Sequence, residues 1–247
     1  MDELELTLDE EGLRIMRLSR VHLLQRARSL RYASHAPVEL RVNSPGVPSA
    51  ASSASHDSIV SLAPHDVVSR ARKIKLFLMD VDGTLTDGGV CLASTTTAEG
   101  SGEPAVTEMK VFSAHDGQGL SLAHTMGIQT GFITGRSSPA VARRAQELKV
   151  GFVFLGQAKK IEAFEECVKR AGVTENEVAY LGDDLPDIPL ARRAGLAICV
   201  ADGAPELAAA CHFRTRLPGG HGAAREVVEL ILKAQGRWEK AVPQALA

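Results

Sequence analysis

The sequence predicts an α/β protein, a Rossmann-like parallel sheet with helices on both faces. Three observations lead there. Short apolar runs recur from Lys75 onward, too short for buried helices and suited to buried strands. Segments of helical length alternate with them, as βαβ units require. Several of the apolar runs also end in polar clusters, and in open parallel sheets ligands bind beyond the carboxyl ends of the strands.

Residues 1–63 stand apart as an N-terminal extension and linker. Met1 to Glu11 is acidic, whereas Gly12 to Tyr32 has no acidic residue and carries Arg14, Arg17, Arg20, Arg26, Arg28 and Arg31. A basic amphipathic helix would suit a membrane surface or a partner. Arginines interrupt the apolar face, so a disordered or weakly helical extension is expected instead. Asn43 to Ser58, rich in Ser, Ala and Pro, reads as a linker.

The second domain spans residues 64–247. His65 to Arg72 predicts a short helix, and Leu76 to Met79 the first core strand. That strand runs into Asp80-Val81-Asp82-Gly83-Thr84. With a side-chain period of two, Asp80 and Asp82 would share a face, and two crowded carboxylates call for a proton or a cation. Gly83 lets the backbone turn. Gly88 to Leu92 and Ala105 to Phe112 predict a β-hairpin with a long mobile tip, Ser94 to Pro104, placed to act as a flap. A helix from Gly117 to Met126 follows, then a strand from Ile128 to Ile133 that ends in Thr134-Gly135-Arg136. The next helix, Ser138 to Leu148, has Pro139 in its first turn. Strand Gly151 to Leu155 leads to Lys159-Lys160 and a helix over Ala158 to Ala171, stopped by Gly172. Strand Val178 to Leu181 ends in Gly182-Asp183-Asp184. Helix Pro186 to Ala194, strand Leu196 to Val200 and helix Ala223 to Ala234 complete the alternation.

The totals exclude several function classes. Apolar residues make up 45% of the 247, charged residues 23%, and the formal net charge is −2, so bulk charge gives no footprint for nucleic acid. With aromatics at 4% there is little to stack bases on. No apolar run is long enough to span a bilayer. Cys91, Cys167, Cys199 and Cys211 have no metal-ligand spacing, and reduced thiols in a cytoplasmic protein are expected.

Singly, the polar clusters are weak signals: a lone Thr-Gly-Arg is more often a turn, a lone Gly-Asp-Asp a loop, a lone Lys solvated. Together, in this order and at one rim of the sheet, they resemble the haloacid dehalogenase-like phosphohydrolases, over the chain from about Lys75 onward. Asp80-Val81-Asp82-Gly83-Thr84-Leu85-Thr86-Asp87-Gly88, Asp116-Gly117-Gln118-Gly119, Thr134-Gly135-Arg136, Tyr180-Leu181-Gly182-Asp183-Asp184-Leu185-Pro186-Asp187 and Pro218-Gly219-Gly220-His221-Gly222 are similar to the branch that includes 3-deoxy-D-manno-octulosonate 8-phosphate phosphatases. Asp80 to Thr134 leaves room only for a hairpin and a helix, so no cap domain is expected. A capless site is open to water. The resemblance implies a homotetramer in which neighbouring subunits cover it.

The resemblance also implies roles. Asp80 is the expected nucleophile and Asp82 the general acid and base. Mg²⁺ is expected on the carboxylates of Asp80 and Asp183 and the backbone carbonyl of Asp82. Thr134 and Lys160 would hold phosphoryl oxygens, with Asp184 behind them orienting waters or Lys160. Arg136 and Gly135 are expected against the substrate, a small phosphorylated sugar acid. Arg136 suits a carboxylate or phosphate, with a surface ion pair as the ordinary alternative. Lys160 could likewise be a plain helix-surface lysine, Asp187 only a helix cap, and Arg225 only the partner of Glu229. One departure is His115, where relatives often carry Arg or Lys before the Asp-Gly pair. Two other readings remain: a phosphatase of a nine-carbon keto-deoxy sugar acid 9-phosphate, and a tetramerising module without turnover, which the intact set of polar residues disfavours.

Overall fold

The structure is a computed structural model and describes residues 63–95 and 105–244. The expectations for the N-terminal extension and for the hairpin tip lie outside these residues.

Helix α1 (His65–Ala71) leads into strand β1 (Leu76–Met79), whose four residues are all buried. Phe77 and Met79 enter one apolar cluster, and Leu76 and Leu78 enter another on the opposite face. A strand buried on both sides has to be apolar at every position, which is why it reads as a continuous run. Strands β2 (Cys91–Thr95) and β3 (Ala105–Met109) pair antiparallel as a separate two-stranded ribbon, with Leu92 opposite Glu108. The rest alternates: α2 (Ala114–Thr125), β4 (Gln129–Ile133), α3 (Pro139–Glu147), β5 (Phe152–Phe154), α4 (Lys160–Ala171), β6 (Val178–Gly182), α5 (Ile188–Ala191), β7 (Leu196–Cys199), α6 (Pro205–Ala210), β8 (Phe213–Arg214), α7 (Ala223–Ala234) and α8 (Trp238–Gln244).

The main sheet has the order β5-β4-β1-β6-β7-β8, and every adjacent pair is parallel. The chain steps from β1 outward to β4 and β5, then returns to the other side of β1 for β6, β7 and β8. The order therefore reverses at β1, and the crevice beyond the carboxyl end of β1 is the topological switch point where such sheets bind ligands. Asp80 is the first residue past that end. On one face Leu120 and Ala123 of α2, Met126 just past its end, and Val227, Leu230 and Ile231 of α7 pack on the sheet. On the other face Phe164 and Cys167 of α4 and Leu190 of α5 do so.

Differences from the expected elements have local causes. Helix α2 begins at Ala114 because Ser113 accepts a hydrogen bond from the Asp116 N–H and caps it. The helix expected over Pro186 to Ala194 is a 3₁₀ turn, Leu185–Asp187, followed by the single turn of α5. Asp184 and Asp187 form a reciprocal capping box there. Thr174 and Glu177 form another around a 3₁₀ turn that feeds β6 directly. Strand β8 and helices α6 and α8 were not foreseen. No described helix is long and apolar enough to cross a membrane. Cys167 and Cys199 are buried, while Cys91 is exposed on the hairpin.

Candidate active site

Asp80 is 6% exposed and Lys160 7%, which is unusual for charged groups unless they are paired. Lys160 opens α4, and its Nζ lies 2.8 Å from Asp80 Oδ1 and 2.7 Å from Asp187 Oδ1. Asp187 is the better anchored of the two acids. Its Oδ1 also accepts from the Tyr180 hydroxyl at 2.6 Å, and its Oδ2 accepts from the N–H groups of Asp183 at 3.0 Å and Asp184 at 3.3 Å. These donors fill the acceptor capacity of a carboxylate. Asp187 therefore fixes Lys160 and the loop after β6, a larger task than the helix cap the sequence suggested. Asp184, expected to orient waters or Lys160, is exposed; the acid that touches Lys160 from this loop is Asp187.

Asp183 sits across from Asp80. The Thr84 hydroxyl donates to its Oδ1 at 2.9 Å. Gly83, at φ +86°, passes so close that an added Cβ would lie 2.0 Å from Asp183 Oδ2, so no larger residue fits between them. Asp80, Asp183 and Asp187 each offer a carboxylate oxygen within 4.8 Å of the others. Although Lys160 is near, no donor meets Asp80 Oδ1 at hydrogen-bond angles. Burial, reinforced by the charge of Asp187, pushes the Asp80 carboxyl up to about 8 against the pull of Lys160. Burial, again with Asp187, pushes Asp183 up to about 6. Two carboxylates short of positive charge, one with an unmet oxygen, fit a hard divalent cation. Asp187 is already saturated by donors, which leaves Asp80 and Asp183 as the side chains to hold it.

The Asp82 side chain turns the other way. Thr134, buried after β4, donates to Asp82 Oδ2 at 3.4 Å and accepts from the Arg136 N–H at 3.2 Å. The ammonium of Lys110 contacts Asp82 Oδ1. Lys110 follows β3, its side chain is 1% exposed, and it lies 3.3 Å from Glu108 Oε1. Arg136 Nη2 meets the same Glu108 oxygen at 3.0 Å. Neither Glu108 nor Lys110 was singled out from sequence. The available signal was their spacing of two on a predicted strand, which puts both on one face. Gly135 is exposed, and a Cβ there would lie 3.9 Å from the Gln157 carbonyl, so sterics do not require glycine. His115 is exposed.

The Pro218–Gly222 loop packs against the aspartate loop. A Cβ on Gly219 would lie 1.8 Å from the Gly83 carbonyl oxygen, and the Gly220 N–H donates to Thr84 O at 3.0 Å. Buried Asp116 ties the start of α7 to α2, accepting from the N–H groups of Gly222 at 3.1 Å and Arg225 at 2.9 Å. Arg225 pairs with Glu229 at 2.8 Å and stacks over Trp238.

A haloacid dehalogenase-like hydrolase model matches residues 105–195. The chain is 37% identical over 181 residues to 3-deoxy-D-manno-octulosonate 8-phosphate phosphatase of Escherichia coli strain K12, covering 73% of this chain and 91% of that one. It belongs to this family of haloacid dehalogenase-like phosphatases. The crystal structure of the Yersinia pestis enzyme of that name superimposes with a TM-score of 0.64 at 38% identity, covering 71% of this chain and 89% of the other. The Moraxella catarrhalis phosphatase, solved with magnesium, phosphate and a KDO molecule, gives a TM-score of 0.64 at 40% identity, covering 72% and 97%. Membership makes the protein a phosphoric monoester hydrolase, and the aspartate loop, Thr134, Lys160 and Asp183 lie within the part of the chain that the fold places at one crevice.

Proposed function

We propose that the protein hydrolyses 3-deoxy-D-manno-octulosonate 8-phosphate to the free sugar acid and phosphate, with Mg²⁺, in the cytoplasm, as a step of lipopolysaccharide precursor synthesis. The observation that carries the chemistry is the buried Asp80–Lys160–Asp187 array beside Asp183 at the switch point of the sheet. The substrate follows from the identity to relatives acting on that compound and from the KDO-bound relative.

In this reading the Asp80 carboxylate attacks phosphorus in line with the leaving oxygen and forms an aspartyl-phosphate. Asp82 gives its proton to the departing C8 alkoxide, then takes one from the water that hydrolyses the intermediate. Thr134 and Lys160 donate to the phosphoryl oxygens, and Asp187 keeps Lys160 aimed at them. Bound to Asp80, Asp183 and the Asp82 carbonyl, Mg²⁺ would supply positive charge for a phosphoryl oxygen and relieve the acidic cluster. Asp184 would order water at the rim, and Arg136, with Gly135 beside it, would face the sugar acid.

The catalytic domain is residues 64–247, and the active form is a homotetramer. The hairpin supports this: Val90, Leu92, Val106, Met109 and Val111 are 55%, 54%, 65%, 42% and 75% exposed. A two-stranded ribbon with bare apolar residues on both faces is marginal alone, and neighbouring subunits would cover it and the site together. A phosphate-release panel of sugar phosphates, with and without Mg²⁺, tests the reading. Greatest kcat/KM on the eight-carbon ester, lost with chelator, is expected. Preference for a nine-carbon 9-phosphate, or release from none, would overturn it.

A further inference from the structure

Glu108 has no part in the chemistry above, yet it occupies the mouth of the site. Its carboxylate lies across two cations from different elements, Arg136 Nη2 at 3.0 Å from the loop after β4 and Lys110 Nζ at 3.3 Å from the end of β3. A single oxygen, Oε1, meets both. The Glu108 side chain is 16% exposed and Arg136 47%, so the group stands at the edge of solvent where an incoming ligand can reach it. The same cations border Asp82: Lys110 touches one oxygen, and Arg136 Nε lies 4.0 Å from the other. A leaving group protonated by Asp82 must extend past this residue, toward the hairpin. Arg and Lys converging on one carboxylate, next to the acid that serves the leaving oxygen, is the arrangement that would receive a carboxylate carried by the leaving group.

We propose that Glu108 is an internal competitor for the substrate's carboxylate: it holds Arg136 and Lys110 in the free enzyme and is displaced when a phosphorylated sugar acid binds. This rests on the phosphatase reading above and adds what that reading lacks, a means of choosing acids over neutral sugar phosphates. An ester without a carboxylate leaves Glu108 in place and meets a mouth already occupied. An acid exchanges one carboxylate for another, so the cations are never left unpaired. The Ser138 hydroxyl, with Arg136 and Lys110, holds the Glu108 carboxyl below its usual range, so it is present as the anion at neutral pH.

Steady-state kinetics of the full chain with Mg²⁺ test this, comparing 3-deoxy-D-manno-octulosonate 8-phosphate with its carboxyl methyl ester. The ester has the same shape without the charge. Glu108→Gln removes the competing charge, and the expected result is a KM for the acid lowered about threefold or more, with a smaller change for the ester. Lys110→Met and Arg136→Met should move the acid the other way, raising its KM about tenfold or more relative to the ester. Opposite signs cannot come from a general loss of fold. Equal shifts for acid and ester in an active enzyme, or a raised KM for the acid in Glu108→Gln, would overturn the proposal. A wild-type protein that cleaves neither compound overturns the phosphatase reading, and this inference with it.

Discussion

At the scale of single residues, the site is set by how much positive charge each carboxylate receives. Asp187 is met by Lys160, Tyr180 and two backbone N–H groups, while Asp80 shares the same Lys160 ammonium and stays pushed up by burial. Asp80→Asn should lower kcat by roughly 10⁴-fold or more without lowering the melting temperature, because the change is isosteric. Asp187→Ala should cost about 3–5 kcal/mol of stability in chemical denaturation, because Lys160 loses one of its two carboxylates and the Tyr180 hydroxyl and two backbone N–H groups lose their acceptor. Gly83→Ala should raise the Mg²⁺ concentration for half-activity about tenfold or more, since the added carbon must displace Asp183. Asp80, Asp82, Thr134, Lys160 and Asp183 were legible in the sequence because each follows a strand or opens a helix whose pattern is clear. Glu108 and Lys110 were not. They look like ordinary polar positions on an exposed ribbon, and only the folded hairpin brings them to Asp82.

At the scale of elements, the α/β alternation was legible because β1, β6 and β7 are buried at every position and read as apolar runs. What stayed hidden has a short or ambiguous pattern. Strand β8 is two residues, Phe213 and Arg214, paired parallel with β7. Helix α8 contains Pro243, which argues against a helix from sequence. The reach of Asp116 to the start of α7 was also hidden, since the contact spans more than a hundred residues of chain. Asp116→Ala should therefore destabilise the fold by about 1–2 kcal/mol, read as a lower denaturation midpoint. An unchanged midpoint would show that Gly222 and Arg225 find other acceptors.

At the scale of the whole molecule, two properties follow from the site and the hairpin. With folded-state values near 8 for Asp80 and 6 for Asp183, both above their unfolded value, the cation-free native state binds more protons than the unfolded chain over that range. Its stability from these groups is present at low pH and is lost as pH rises toward 8. Mg²⁺ restores it by taking the place of the protons, so the rise in melting temperature on adding Mg²⁺ should grow from pH 5 to pH 8. A Mg²⁺ effect that is flat with pH would show that the ion binds elsewhere. For the hairpin, Leu92→Asp combined with Val106→Asp should reduce the mass measured by light scattering and lower kcat/KM together; a monomer with full activity would contradict a shared site. The central claim, that Asp80 itself takes the phosphoryl group, is tested most directly by adding borohydride during turnover of 3-deoxy-D-manno-octulosonate 8-phosphate and mapping the peptides by mass spectrometry. Reductive conversion of the acyl phosphate at position 80, and at no other carboxylate, is the predicted result. An unmodified Asp80 in an enzyme caught turning over, or reduction at Asp82 or Asp183 instead, would contradict it.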